Sequence, residues 1–227
     1  MWTQSRGLGT DNTSCAHLCS LSDGRSRRRG PTNGGSQVDE YRTSLILRPV
    51  EAADYPLLRR LELSQELGAT WRLIDHPSPE GYAASLWDGV QANYLAMDGR
   101  TGGGLGLFSV YGLDTHNRVC RLAAARFDRT ARSGLIFLVA FDAVVGATFD
   151  TYDIRKIYLD VPAFNFDPIR SMVDRGIFQV EGLLREFRYY RGAHWDQYVL
   201  SLSRAGAELL HTYSNGDRVR DVASRLD

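Results

Sequence analysis

Apolar residues recur along most of this chain at one of two spacings, and the spacing divides it into elements. Residues 43–50 alternate like a strand and stop at Pro49. In 52–66, Tyr55, Leu57, Leu58, Leu61 and Leu63 form a 3.6-residue stripe, so a helix is expected. A loop over 68–79 precedes a second helix over 80–91, with Pro79 at its start. Residues 93–97, 105–111 and 118–127 then read as an antiparallel meander with turn signals between strands. Residues 133–149 are apolar nearly all round, as in a buried helix. A strand follows over 155–161. A helix over 167–175 carries Pro168 in its first turn and Gly176 after its end. Residues 178–188 and 195–203 form a hairpin around Arg191, Gly192 and Ala193, and a weak helix follows Arg204. The order β-α-α-β-β-β-α-β-α-β-β implies an α+β, three-layer mixed sheet with helices on both faces.

Residues 1–38 lack this periodicity and read as a disordered tail before a single domain over 39–227. The run Arg25, Arg27, Arg28, Arg29 is either a tether for an anionic partner or part of a solvated tail. Basic and acidic residues number 27 each, which argues against a nucleic-acid binder or a polybasic membrane-surface protein. The longest apolar stretch, 135–149, is too short to span a bilayer, and no secretion signal is seen, so a cytoplasmic protein is expected. Cys15, Cys19 and Cys120 are too few for a disulfide framework, and Cys15, His17 and Cys19 fall short of a four-ligand zinc site, so no metal is expected. Only Lys156 among the 27 basic residues is a lysine, a mark of a GC-rich, actinobacterial-like genome.

Three stretches carry a family resemblance. LRPVEAADYPLLRRLE (47–62), ATFDTYDIRKIYLDVPAFN (147–165) and MVDRGIFQVEGLLREFRYYRGAHWDQYVLSLSR (172–204) occur in the order and spacing of the GNAT superfamily of N-acyltransferases. The best local likeness is to the branch that acetylates ribosomal-protein N-termini. The resemblance implies that the fourth strand splays from the fifth and that the pantetheine arm of acetyl-CoA, or another acyl-CoA, pairs with the free edge. It implies a pyrophosphate at the next helix N-terminus. The residues concerned are Arg126, Phe127, Arg129, Arg132, Ser133, Gly134 and Leu135, with Asn165, Met172 and Arg175 on the far side of the splay.

The sequence departs from that family in two places. Ser133 and Leu135 stand where the phosphate turn has glycines, and Gly134 lies between them. Weaker CoA binding is expected, with Arg129, Arg132 and the Ser133 hydroxyl supplying part of the affinity. A donor carried as acyl-phosphopantetheine on an acyl carrier protein needs less of this turn and stands as an alternative. Pro168 and Met172 occupy the positions of the family's acid. A thiol pKa of about 8.5 makes the thiolate a fair leaving group unaided. Ser171, Tyr189 and Tyr190 are the substitutes available. The attacking amine must be neutral, which at pH 7 costs about 1.4 kcal/mol for an α-amine and about 4.6 kcal/mol for a lysine. Base candidates are Glu62, Glu66, His76 and His194, while Asn165 is placed to hold cofactor or water. The acceptor pocket is expected under 68–79: Trp71 lines it or caps the core, Arg72 pairs an acidic group, and Tyr189 contributes. The apolar run 135–141 is either plain core or room for a longer acyl chain. The expected function is acyl transfer to a small-molecule or peptide amine by a monomer or homodimer. A non-catalytic acyl-cofactor-binding module is the reading from another class.

Overall fold

The computed structural model describes residues 37–62, 78–127 and 130–215. The arginine run, Cys15, His17 and Cys19 lie outside the described residues. So do Glu66, Trp71, Arg72, His76 and Arg129.

The chain enters through helix α1 (Gln37–Ser44) and strand β1 (Leu45–Pro49). A short turn (Ala52–Asp54) leads into α2 (Tyr55–Glu62), and α3 (Pro79–Trp87) follows. The Asp54 carboxylate takes a two-pronged hydrogen bond from Arg48, 2.7 Å at each oxygen, and accepts the Glu51 amide at 2.8 Å. The Ser78 hydroxyl caps α3 by accepting the Gly81 amide, with Pro79 supplying a φ already suited to the first turn. Strands β2 (Val90–Asp98), β3 (Gly104–Asp114) and β4 (Val119–Arg126) make the meander. Helix α4 (Ala131–Thr151) crosses to β5 (Lys156–Pro162), and a turn (Ala163–Asn165) opens α5 (Asp167–Asp174). Strands β6 (Gln179–Tyr190) and β7 (Ala193–Ser203) form the last hairpin, and α6 (Arg204–Asn215) closes the described fold. Arg191 and Gly192 both take positive φ, as a two-residue turn between right-twisted strands requires.

The seven strands form one sheet in the order β1-β2-β3-β4-β5-β7-β6. Every neighbouring pair is antiparallel except β4 with β5. The sheet divides two apolar clusters. The larger packs α4, Met172 of α5 and Leu210 and Tyr213 of α6 against β2, β3, β4, β5 and β7. Phe108 of β3 stacks on Phe137 of α4 at 4.8 Å between ring centres. The smaller, on the opposite face, joins Leu58, Tyr82 and Leu86 to Leu95, Leu107 and Ala125. Asp142 of α4 ties α6 down: it accepts from the Ser214 hydroxyl at 2.8 Å and lies 3.0 Å from His211 Nδ1.

The α+β three-layer mixed sheet expected from the sequence is the observed architecture, and several boundaries are corrected. The helix expected over 80–91 ends at Trp87, and Val90 and Gln91 already belong to β2. Residues 43 and 44 belong to α1 rather than to the first strand. Nothing in the polar composition of α1 announces a helix. Tyr41 buries itself in the larger cluster, and Arg132 of α4 stands over its ring at 5.4 Å. Helix α4 is longer than its apolar run and is long and apolar enough to cross a membrane by length and composition. In this fold most of that stretch is buried, as the central helix of a core.

Candidate active site

Strands β4 and β5 run side by side for three residue pairs only, Val119 with Lys156, Cys120 with Ile157 and Arg121 with Tyr158. Beyond that point β4 pairs only with β3, and β5 only with β7. Two strand edges therefore face a wedge with backbone groups left for another partner. Arg121 of β4 and Asp160 of β5 pair across the start of the wedge. Because the two strands are parallel, their downstream segments gather at the same end of the sheet: the start of α4 after β4, and Ala163–Asn165 with α5 after β5. Ligands of open sheets bind at such a place, outside the carboxyl ends of parallel strands. Cys120, beside the wedge, is no nucleophile: burial pushes its thiol up to about 11.

The α4 turn is built differently from what its sequence suggested. The Thr130 hydroxyl caps the helix by accepting the Ser133 amide at 3.3 Å, and the Ser133 hydroxyl turns inward to the Thr130 carbonyl at 2.8 Å. Ser133 and Leu135 are both buried. Gly134 faces outward, with the Arg126 guanidinium against it: a Cβ placed there would lie 2.8 Å from Arg126 Nη1. Arg126 also donates to the Thr130 carbonyl at 3.4 Å. Arg132 points elsewhere, to Glu40 at 3.3 Å, Ser44 at 3.4 Å and Asp98 at 3.7 Å. Arg126, Gly134 and the first amides of α4 are thus brought together, and Arg132 is held by α1 and β2. Phe127 borders the same end, 3.4 Å from a Cβ built on Gly104.

Across the wedge, Asn165 ends the turn after β5, half-buried, and its side chain has no hydrogen-bond partner among the described residues. Ser171 is exposed on α5, its hydroxyl 3.4 Å from the Tyr213 hydroxyl. Arg175 stands over the Tyr213 ring at 5.0 Å, and Met172 is buried beneath. Tyr213 of α6 is not a residue that the sequence singles out, because its helix gives only a weak signal there. Glu62 ends α2. Tyr189 is exposed on β6 beside His194 of β7, their rings 5.2 Å apart.

The opposite sheet face, on the β5–β7 side, holds groups that sequence reasoning missed. Trp195, Gln197, Val199 and Ser201 share this face by strand alternation, since Leu200 and Leu202 fill the larger cluster on the other. Phe164 leaves the end of β5 and meets Tyr190 at 4.6 Å and Trp195 at 5.6 Å between ring centres. The Trp195 indole is fixed by its Nε1 donating to the Tyr190 carbonyl at 3.2 Å. Gln197, 4% exposed, has an Oε1 with no hydrogen-bond partner among the described residues. An unpaired buried acceptor costs about 1–3 kcal/mol. The carboxylates of this face are neutralised in place. Asp160 pairs with Arg121, and Glu181 pairs with Lys156 and accepts from Ser201 at 2.6 Å. Hydrogen bonding from Lys156 first, and then from Ser201, holds the Glu181 carboxyl below its ordinary value.

No protein-family model and no curated protein matches the sequence. Solved structures match its fold. A spermidine N-acetyltransferase from Vibrio cholerae in complex with CoA and spermine superposes with a TM-score of 0.61 at 18% identity, over 73% of this chain and 99% of that one. A protein assigned as a phosphinothricin N-acetyltransferase superposes with a TM-score of 0.56 at 18% identity, over 70% and 98%. The chain has the fold of the GNAT N-acetyltransferases. That places the β4–β5 wedge and the α4 turn in a fold whose solved members include one holding CoA.

Proposed function

We propose that the chain is an N-acyltransferase that moves an acyl group, acetyl in the simplest case, from a CoA thioester to a primary amine in a ternary complex. The parting of β4 from β5 beside the start of α4 carries this reading. An extended pantetheine arm can hydrogen-bond along a free strand edge, and a helix N-terminus favours the phosphates attached to it. Arg126 lies where it can pair with those phosphates, and Asn165 where it can hold the cofactor or an ordered water. The amine nitrogen attacks the thioester carbon; the C–N bond forms, the C–S bond breaks, and the thiolate takes up the proton that the amine gives away. Ser171, backed by Tyr213, is the hydroxyl proposed to deliver that proton, a contribution worth about 10²–10⁴-fold where present. Residues 1–38 are proposed to be dispensable for the reaction. The likeness to enzymes acting on ribosomal-protein N-termini rests on the three sequence stretches alone.

A second reading has a specific observation behind it. The Ser133 amide is spent on the Thr130 cap, so the turn offers fewer donors to a pyrophosphate than a glycine turn would. Each charge-assisted hydrogen bond lost weakens binding by about 1.5–3 kcal/mol. A donor loaded on a carrier protein presents one phosphate and tolerates this. Calorimetric titration with acetyl-CoA, a long-chain acyl-CoA and an acyl-loaded carrier protein tests both readings. Acetyl-CoA is expected to bind weakly and to release thiol when an amine is added. Binding of the loaded carrier protein alone would replace the CoA reading with the second. Binding without turnover on any amine would leave a non-catalytic module.

A further inference from the structure

The surface where an acceptor would meet the wedge has a definite chemistry. Phe164, Tyr190 and Trp195 form an aromatic wall, and Leu184, the cross-strand partner of Gln197, extends it. On the same face, two residues along β7 from Trp195, is Gln197, whose buried Oε1 can only accept a hydrogen bond and has no partner among the described residues. Beside it is Arg188, cross-strand partner of Trp195, whose Nε–H is buried and has no hydrogen-bond partner among the described residues. One acceptor and one donor without partners thus flank an aromatic surface. Cationic charge is in surplus there. Asp160 and Glu181 are matched by Arg121 and Lys156, while Arg188 remains and Arg191 stands over Tyr190 at 5.2 Å. A polycation finds no free carboxylate among these residues.

Resting on the N-acyltransferase reading, we infer that the acceptor is the α-amine of an aromatic amino acid or of a derivative of one, bound with its ring on the Phe164–Tyr190–Trp195 wall. One amine hydrogen bonds to Gln197 Oε1 and stays on nitrogen in the amide product. The other is the proton lost in the reaction, so the amine is primary. The neighbouring carbonyl oxygen accepts from Arg188 Nε. An α-amine also loses its proton more easily than a lysine or polyamine nitrogen.

Thiol release from acetyl-CoA with phenylalaninamide, alaninamide, phenethylamine and spermidine separates these contributions. Phenylalaninamide is expected to exceed alaninamide, which lacks the ring, and phenethylamine, which lacks the carbonyl, each by about tenfold in kcat/KM, with spermidine slowest. Trp195→Ala should erase the preference over alaninamide, and Arg188→Met the preference over phenethylamine. Gln197→Met should lower kcat/KM for phenylalaninamide about tenfold while raising Tm, because it removes a buried unpaired acceptor. Free phenylalanine and a peptide beginning with phenylalanine distinguish a carboxylate source from a peptide source. Spermidine faster than phenylalaninamide, or variants that slow every amine alike, overturns the inference while acetyl-CoA still binds. If acetyl-CoA neither binds nor loses its acyl group to any of these amines, the acyltransferase reading itself has failed.

Discussion

The sheet face that carries α2 and α3 has two unlike halves. Over β2, β3 and β4, Leu58, Tyr82 and Leu86 seal it against Leu95, Leu107 and Ala125. Two buried polar side chains there bond to each other: Asn93 donates to the Leu86 carbonyl at 2.7 Å and accepts from Ser109. Over β5, β7 and β6 the same face contributes nothing to that cluster. It carries ion pairs, a buried amide oxygen without a partner among the described residues, and large apolar side chains left in solvent: Leu184 and Trp195 on the hairpin. On β6, Arg185, Glu186 and Phe187 bulge between the pairs Leu184–Gln197 and Arg188–Trp195, and Asp196 accepts the Glu186 amide at 2.9 Å and Arg185 at 2.7 Å to hold the bulge. One half is sealed by apolar packing and gives stability. The other leaves large apolar side chains in solvent beside polar groups without partners among the described residues, the pattern of a binding surface.

The largest effect belongs to the sealed half of the sheet. Leu107→Ala, which truncates a side chain buried in the smaller cluster, should cost about 2–5 kcal/mol in denaturant unfolding. A loss of similar size from Trp195→Ala would abolish the distinction between the halves; under about 1 kcal/mol is expected there.

Next comes the Arg48–Asp54 pair at the entry to α2. Asp54→Ala should cost about 1–3 kcal/mol, since it removes a capping carboxylate and leaves Arg48 unmatched. The hydrogen bonds from Arg48 hold the Asp54 carboxyl below its ordinary value of 3.8. Its contribution is therefore complete above that value and is lost as the pH falls below it, through the lower folded-state pKa. Acid titrations of Tm should show a shallower fall below pH 3.8 in Asp54→Asn than in the unsubstituted chain.

Gly134→Glu probes the wedge between the halves. It should displace Arg126 and set a negative charge at the start of α4, weakening CoA binding about tenfold in calorimetry with circular dichroism unchanged. Equal affinity would mean that the phosphates lie elsewhere. Smallest is Phe187→Ser, on the exposed bulge, where Tm should move by less than about 2 °C. A larger drop would show the bulge to be covered in solution.

Much of this fold was legible in residue spacing. The strands and long helices have strong periods, and period is fixed by which face is buried. The boundaries that slipped lie where tertiary anchors decide, as with Tyr41 in an otherwise polar α1. The donor side of the candidate site was legible in part. Gly134 and Asn165 were singled out there by the family resemblance of the stretches that hold or adjoin them. The orientation of Arg132 was not, because a long cation pairs with whichever carboxylates the fold brings near, here Glu40 and Asp98.

The sequence by itself determined the layered α+β architecture and the crossover that makes β4 and β5 parallel. Both arise from local periodicity and element order. Only the tertiary structure decided where the two strands part, which hydroxyl caps α4, and that Phe164, Tyr190 and Trp195 meet on the sheet face that buries Gln197. Those residues are up to 33 positions apart in the chain. Their meeting depends on register and on a bulge in β6, which arise from the summed packing of the whole sheet rather than from any short stretch of chain.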